Sequence, residues 1–209
     1  MDDLELLEAW RRGNPQSGDR LFRRHIGAVQ RFFANKVSNA ALVEDLIQKT
    51  FLACIERPDG FAGRSSFRSY LLGIAKFVLF ASFRAARKHD VDDLGSRSVQ
   101  DMGQGVSTLV GQSERQQLLL AALRRIPLDQ QVALELYFFE DLSASEIAEV
   151  LEMAEGTVRS RIRLGKDALK KQLAEAIVPL ALRDPSDGDL DTWLREIRQL
   201  LPTLGEVQA

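Results

Sequence analysis

The stretch Leu142-Ser143-Ala144-Ser145-Glu146-Ile147-Ala148-Glu149-Val150-Leu151-Glu152-Met153-Ala154-Glu155-Gly156-Thr157-Val158-Arg159-Ser160-Arg161-Ile162 has the spacing of a helix-turn-helix. At about 100° per residue, Val158, Ile162, Gly165 and Leu169 share one face of the second helix. Arg159, Arg163, Lys166 and Lys170 share another, centred about 90° away. A helix with one face docked and the next lined with cations is shaped for a DNA major groove. A plain surface helix with a solvated charge row would show the same wheel, but not the turn pattern upstream.

The charge distribution agrees with that reading better than the total does. The 209 residues carry a net charge of −2, which leaves no overall nucleic-acid footprint. Between Gly60 and His89, however, there is no carboxylate, while Arg64, Arg68, Lys76, Arg84, Arg87 and Lys88 all fall there. From Gly156 to Lys171, Asp167 alone faces Arg159, Arg161, Arg163, Lys166, Lys170 and Lys171. Two basic segments in a near-neutral chain point to two anion-facing surfaces.

The single cysteine, Cys54, excludes an internal disulfide, and with His25 and His89 as the only imidazoles no metal site or cofactor is expected. The acidic start, Met1-Asp2-Asp3, lacks the apolar core of a signal peptide. The longest apolar run, 77–81, is too short to span a bilayer, so a cytoplasmic protein with no membrane role is expected. No Ser/His/Asp set, paired-carboxylate pocket or phosphate loop argues for an enzyme.

Helical periodicity dominates, without convincing strand or hairpin signals. It predicts helices over 4–10, 19–37, 41–56, 67–88, 114–125, 128–138, 143–151, 155–173 and 190–201. The segment 90–113 is polar, acidic and rich in Gly and Ser, a linker composition. The expected architecture is all-α: one helical domain over 1–89, an acidic flexible linker over 90–113, a second domain over 114–174, and a short helical extension over 175–209.

Two helices admit more than one use. In 67–88, Phe67, Tyr70, Leu71, Ile74, Ala75 and Val78 form an apolar face, while Lys76, Phe80, Phe83 and Arg87 lie opposite with Arg84 at the edge. Those aromatics and cations suit stacking on unpaired bases with phosphate neutralisation; burial of Phe80 and Phe83 against the preceding helices is the equal alternative. In 41–56, Val43, Leu46, Ile47, Thr50 and Cys54 read as core, and Glu44, Asp45, Gln48, Lys49 and Leu52 as a solvated face or a docking face.

Taken in order, these pieces resemble a known family. Glu44-Asp45-Leu46-Ile47-Gln48-Lys49-Thr50-Phe51 and Phe61-Ala62-Gly63-Arg64-Ser65-Ser66-Phe67-Arg68-Ser69-Tyr70-Leu71 are similar to domain two of bacterial RNA polymerase sigma factors. Leu123-Arg124-Arg125-Ile126-Pro127, Tyr137-Phe138-Phe139-Glu140-Asp141-Leu142-Ser143 and Gly156-Thr157-Val158-Arg159-Ser160-Arg161 are similar to domain four. The order and the short linker resemble the extracytoplasmic-function (group four) subfamily of the sigma-70 family, over about residues 19–174.

The resemblance implies partners and roles. Core RNA polymerase would be bound through its β′ clamp helices, with Asp45, Gln48 and Leu52 as contacts, and through its β flap. Minus-ten promoter DNA would be captured by Arg64, Ser65 and Phe67 near a flipped base and by Lys76, Arg84 and Arg87. Thr157, Arg159, Ser160 and Arg163 would face the minus-thirty-five major groove, with Lys166 and Lys170 on phosphates. An anti-sigma factor or a Ser/Thr kinase would be the regulatory partner. Several residues depart from the family pattern: Lys49 where a carboxylate is common, Gly73 and Phe77 where Arg and Asn are frequent, Glu152 where Gly is often found, and Leu164-Gly165 inside the usual basic run. Phosphorylation of Thr50 would restore about −1.5 to −2 of charge beside Lys49, although Thr50 lies on the apolar face, where Thr is ordinary.

The extension lies outside the resemblance. Leu190, Trp193, Leu194, Ile197 and Leu201 form an apolar stripe that predicts docking, on either module or, as the alternative, on a separate regulator. Truncation after Ala176 is expected to alter activity or regulation and leave both modules folded. The rival readings are a stand-alone helix-turn-helix transcription regulator that binds its operator as a symmetric dimer, and an interaction module that sequesters a polymerase subunit.

Overall fold

The computed structural model describes residues 1–57, 60–63, 65–85, 94–100, 102, 114–175 and 185–198. Among these described residues, ten helical elements follow one another: α1 (Asp3–Arg11), α2 (Pro15–Ala34), α3 (Ala40–Glu56), α4 (Phe67–Ala85), a 3-10 turn (Leu94–Ser96), α5 (Glu114–Leu123), α6 (Leu128–Phe138), α7 (Ala144–Leu151), α8 (Glu155–Glu175) and α9 (Asp187–Arg198). The one β-type contact among the described residues is an isolated bridge between Ser98 and Pro127. None of the helices among them is long and apolar enough to cross a membrane.

Side-chain caps set several boundaries. Asp2 accepts from the Glu5 backbone N–H while Glu5 reaches back to the Asp2 N–H, a reciprocal box that starts α1. Asn14 caps α2 at the Ser17 N–H with Pro15 at the first helical position, so the helix begins at the proline rather than at Asp19 as its pattern suggested. Asn39 does the same for α3 at Leu42.

Two apolar clusters organise the chain, and they do not divide at the linker. The first gathers Leu21, Val29, Phe33, Leu46, Leu71, Leu72 and Leu79 from the N-terminal helices together with Leu128, Val132, Leu136, Ile147, Val150, Leu151 and Val158. The second joins α5, α6, α8 and α9 through Leu119, Leu123, Leu134, Phe138, Leu169, Leu190, Leu194 and Ile197. The expectation of two modules with only a flexible tether between them is therefore corrected: α4 packs along α7, and the modules share a core. Part of the expected linker is docked as well. Leu94 and Val99 are buried, the Leu128 N–H donates to the Arg97 carbonyl at 2.8 Å, and the Gln100 N–H donates to the Arg124 carbonyl at 3.0 Å.

Cys54 lies in this core at 2% exposure, and burial pushes its thiol up to about 11. Alkylation at neutral pH is expected to be slow until the N-terminal half unfolds. Labelling of the native protein at the rate of an exposed thiol would contradict this placement.

Candidate nucleic-acid interface

The helix-turn-helix is built as its residues dictate. Ser143 caps α7 in a second reciprocal box, accepting from the Glu146 N–H at 3.3 Å while Glu146 accepts from the Ser143 N–H at 2.8 Å. The Ser143 hydroxyl and N–H hydrogen bonds hold the Glu146 carboxyl below its usual range. The helix ends at Glu152, whose backbone is left-handed at φ 54° and ψ 50°. That conformation explains why glycine suits this turn: an L side chain there costs about 1–2 kcal/mol. Glu152→Gly is accordingly expected to raise stability by about 1 kcal/mol, less the extra freedom glycine gives the unfolded chain. A urea midpoint that falls would contradict it.

From this turn α8 projects with Val158, Gly165 and Leu169 buried and Ile162 half-buried. Gly165 has a packing reason. A Cβ there would come within 3.0 Å of Leu134 Cδ1 and 3.3 Å of Gln130 Cβ, so its absence lets α8 lie close on α6. Arg161 is turned inward to Asp129 at 2.5 Å. The outer face presents Thr157, Arg159, Ser160 and Arg163, all exposed. Arg159 pairs with Glu155 at 2.5 Å and Arg163 with Asp167 at 3.4 Å, both one turn away on the same exposed surface. Such pairs are worth only about 0.3–0.5 kcal/mol, so they yield readily to phosphate. Further along, Lys166 is held by Asp191 of α9 at 2.7 Å, and Lys170 is half-buried. The N-terminal half of that cationic face is therefore open to solvent, while Lys166 is engaged by the chain's own extension.

In the N-terminal half the outcomes differ by residue. Asp45 is partly exposed, Gln48 is exposed, and Leu52 is exposed to 53%, together a surface along one side of α3. Lys49 spans one turn to Asp45 at 2.6 Å and neutralises it. Thr50 is fully buried, and its hydroxyl donates to the Leu46 carbonyl at 2.8 Å. Addition of a phosphate there requires this part of α3 to lift from the core first.

Phe67, expected beside a flipped base, is instead a core residue at 2% exposure, ringed by His25, Phe61 and Tyr70. Phe83 is likewise buried, whereas Phe77 stands 68% exposed. Ser65 is half-buried and Arg84 is exposed at the end of α4. Lys76 donates to the Leu151 carbonyl at 3.2 Å, so α7 occupies it. Arg64 and Arg87 lie outside the described residues.

Sequence reading missed the charged contact between the modules. The Glu135 carboxylate of α6 accepts from Asn35 at 3.1 Å, from Gln131 at 2.8 Å and from Lys36. Lys36 is fully buried and also donates to the Phe32 carbonyl at 2.7 Å. Burial pushes its ammonium down, and the Glu135 carboxylate pulls it back up. Alongside, Arg31 makes a forked pair with Glu140 at 2.8 and 2.9 Å. The signal available in the sequence was Glu135 itself, a carboxylate in the middle of the apolar run 132–139.

A capped helix-turn-helix with an exposed cationic face, behind a second basic helical module, defines a two-module helical DNA reader. Residues 21–89 match Sigma-70 region 2, and residues 116–169 match Sigma-70, region 4. The RNA polymerase sigma factor CarQ of Myxococcus xanthus is 31% identical over 177 residues, covering 84% of this chain and 99% of that protein. The ECF RNA polymerase sigma-E factor of Escherichia coli (strain K12) is 26% identical over 186 residues, 85% of this chain and 97% of that one. Among solved structures, the fold is similar to the sigma factor RpoE in complex with the anti-sigma factor NepR from Bartonella quintana. There the TM-score is 0.61 at 21% identity, over 77% of this chain and 98% of that one. The chain belongs to the sigma-70 family of RNA polymerase sigma factors, in its extracytoplasmic-function branch.

Proposed function

We propose that residues 1–89 and 114–174 are the functional units through which this sigma factor engages core RNA polymerase and promoter DNA, in the cytoplasm and without a catalytic step of its own. The observation that carries this is the exposed face of α8, where Thr157, Arg159, Ser160 and Arg163 stand clear of the core on a helix fixed by Val158 and Leu169. They face the minus-thirty-five major groove, with Arg159 and Arg163 suited to base edges and Lys166 and Lys170 to phosphates once their intramolecular partners are displaced. On α3, Asp45, Gln48 and Leu52 form the surface for the polymerase clamp, an apolar centre with a polar rim. Lys49 tempers that surface by pairing with Asp45. On α4, Arg84 with Ser65 at its approach addresses the minus-ten element, and Lys76 joins them only when α7 has moved away.

The test is co-elution of the full chain with core RNA polymerase, followed by run-off transcription from genomic fragments. Stoichiometric co-elution with new, discrete start sites is the expected result. A symmetric dimer that binds duplex DNA and ignores the polymerase would replace this reading with the operator-binding regulator.

A further inference from the structure

The side of α4 that carries Lys76 has an occupant within the same chain. A Cβ on Gly73 would lie 3.5 Å from the Val150 carbonyl, and Lys76 is spent on the carbonyl of Leu151. Val150 and Leu151 end α7, the first helix of the helix-turn-helix, and they are buried in one cluster with Leu72, Ala75 and Leu79 of α4. DNA and α7 cannot both hold that face.

A charged seam beside this apolar contact ties the second module to the first. Glu135 in the last turn of α6 and Glu140 just past it are each 3% exposed or less, and they meet Arg31 in the last turn of α2 and Asn35 and Lys36 just past it. A buried ion pair confers little net stability over apolar groups of the same shape, because both charges must shed water to form it. Losing one partner, by contrast, strands the other. A seam of this kind discriminates against misdocked registers, in which one charge would be stranded without its partner.

We infer that the free chain is self-occluded: the helix-turn-helix module is the resting occupant of the α4 face, and the Lys36–Glu135 and Arg31–Glu140 pairs are the latch that holds it there. This rests on the assignment of α4 to promoter DNA. On this inference the latch opens as one unit, exposing Lys76 and the flat step at Gly73 beside Phe77.

The test compares the wild-type chain with Lys36→Met, which strands Glu135, and with Lys36→Met/Glu135→Leu, which replaces the pair by apolar groups. Three readouts are taken on the full chain: small-angle scattering, acylation of Lys76 followed by mass spectrometry, and binding of a short fluorescein-labelled single DNA strand of mixed sequence. The wild type should scatter as a compact particle with a radius of gyration of about 17 Å and should protect Lys76. Lys36→Met should expand, with Lys76 acylation and strand affinity each rising about tenfold or more, and the double variant should return to wild-type values. Arg31→Gln cuts the outer pair and should show the same ordering with smaller amplitude, which keeps the test decisive even if Lys36→Met fails to fold.

A wild type already as extended as Lys36→Met, or Lys76 equally reactive in every variant, overturns the latch. Expansion with a reactive Lys76 but unchanged strand affinity upholds the latch and overturns the assignment of α4 to DNA, and with it the claim of occlusion.

Discussion

Truncation after Ala176 is expected to melt the C-terminal half of the molecule, contrary to what the sequence pattern suggested. Leu190, Leu194 and Ile197 of α9 are all completely buried, in the same cluster as Leu119, Leu123, Phe138 and Leu169. Fully burying a Leu or Ile contributes about 1.5–3 kcal/mol, so these three side chains supply about 5–9 kcal/mol. That is on the scale of an entire domain's net stability, about 5–15 kcal/mol. Polar contacts bind α9 to the same helices: Arg115 pairs with Glu196 at 2.6 Å and lies over the Trp193 ring at 5.4 Å, and Asp191 holds Lys166. Hydrogen exchange provides the check. Amides of α5, α6 and α8 should lose protection in the truncated chain while α3 keeps its own. Full protection throughout would make α9 an ornament on a self-sufficient domain.

The second large effect concerns recognition without stability. Replacing Arg159 and Arg163 by Ala together should lower affinity for a minus-thirty-five duplex by about 2–6 kcal/mol, since each good pairing with a base edge is worth about 1–3 kcal/mol. Their side chains are 70% and 69% exposed, so thermal stability should stay within about 0.5 kcal/mol of wild type. The salt dependence of duplex binding should flatten by about one unit for each phosphate that the variant no longer neutralises. Equal affinity of variant and wild type across promoters would remove α8 from DNA recognition.

The sequence was most informative where a single helix decides its own faces. The wheel of α8 separated Val158 and Leu169 from Arg159 and Arg163 correctly, because α5, α6 and α7 pack on it and leave the face of Arg159 and Arg163 to solvent, so burial follows a 3.6-residue period. It misread α4, which is packed on more than one side: Leu72 and Leu79 fall outside the expected apolar face and yet are completely buried. A helix enclosed by α2, α3 and α7 loses the two-faced pattern that periodicity can detect. For Phe67 the wheel and the resemblance disagree: the wheel put it on the apolar face, where it is indeed pinned among His25, Phe61 and Tyr70, and only the resemblance put it beside a flipped base. Most hidden was the seam between modules. Lys36 and Glu135 are 99 positions apart, and no local rule connects a buried lysine just past one helix with a carboxylate in the last turn of another. The extension lay between these extremes, its docking stripe legible and its partner not.

The docked segment 94–100 acts on reach. With Ser98 bridged to Pro127 and Arg97 tied to Leu128, it travels with the second module as a clasp. By contour length alone, the residues from Ala85 to Leu94 can reach at most about 30 Å, and those from Ala85 to Glu114 at most about 100 Å. Promoter elements about 25 base pairs apart are separated by about 85 Å along the duplex at about 3.4 Å per step. Peeling the clasp therefore releases slack of the same order as the promoter spacer. On the proposed reading, spacer length and clasp strength then trade against each other.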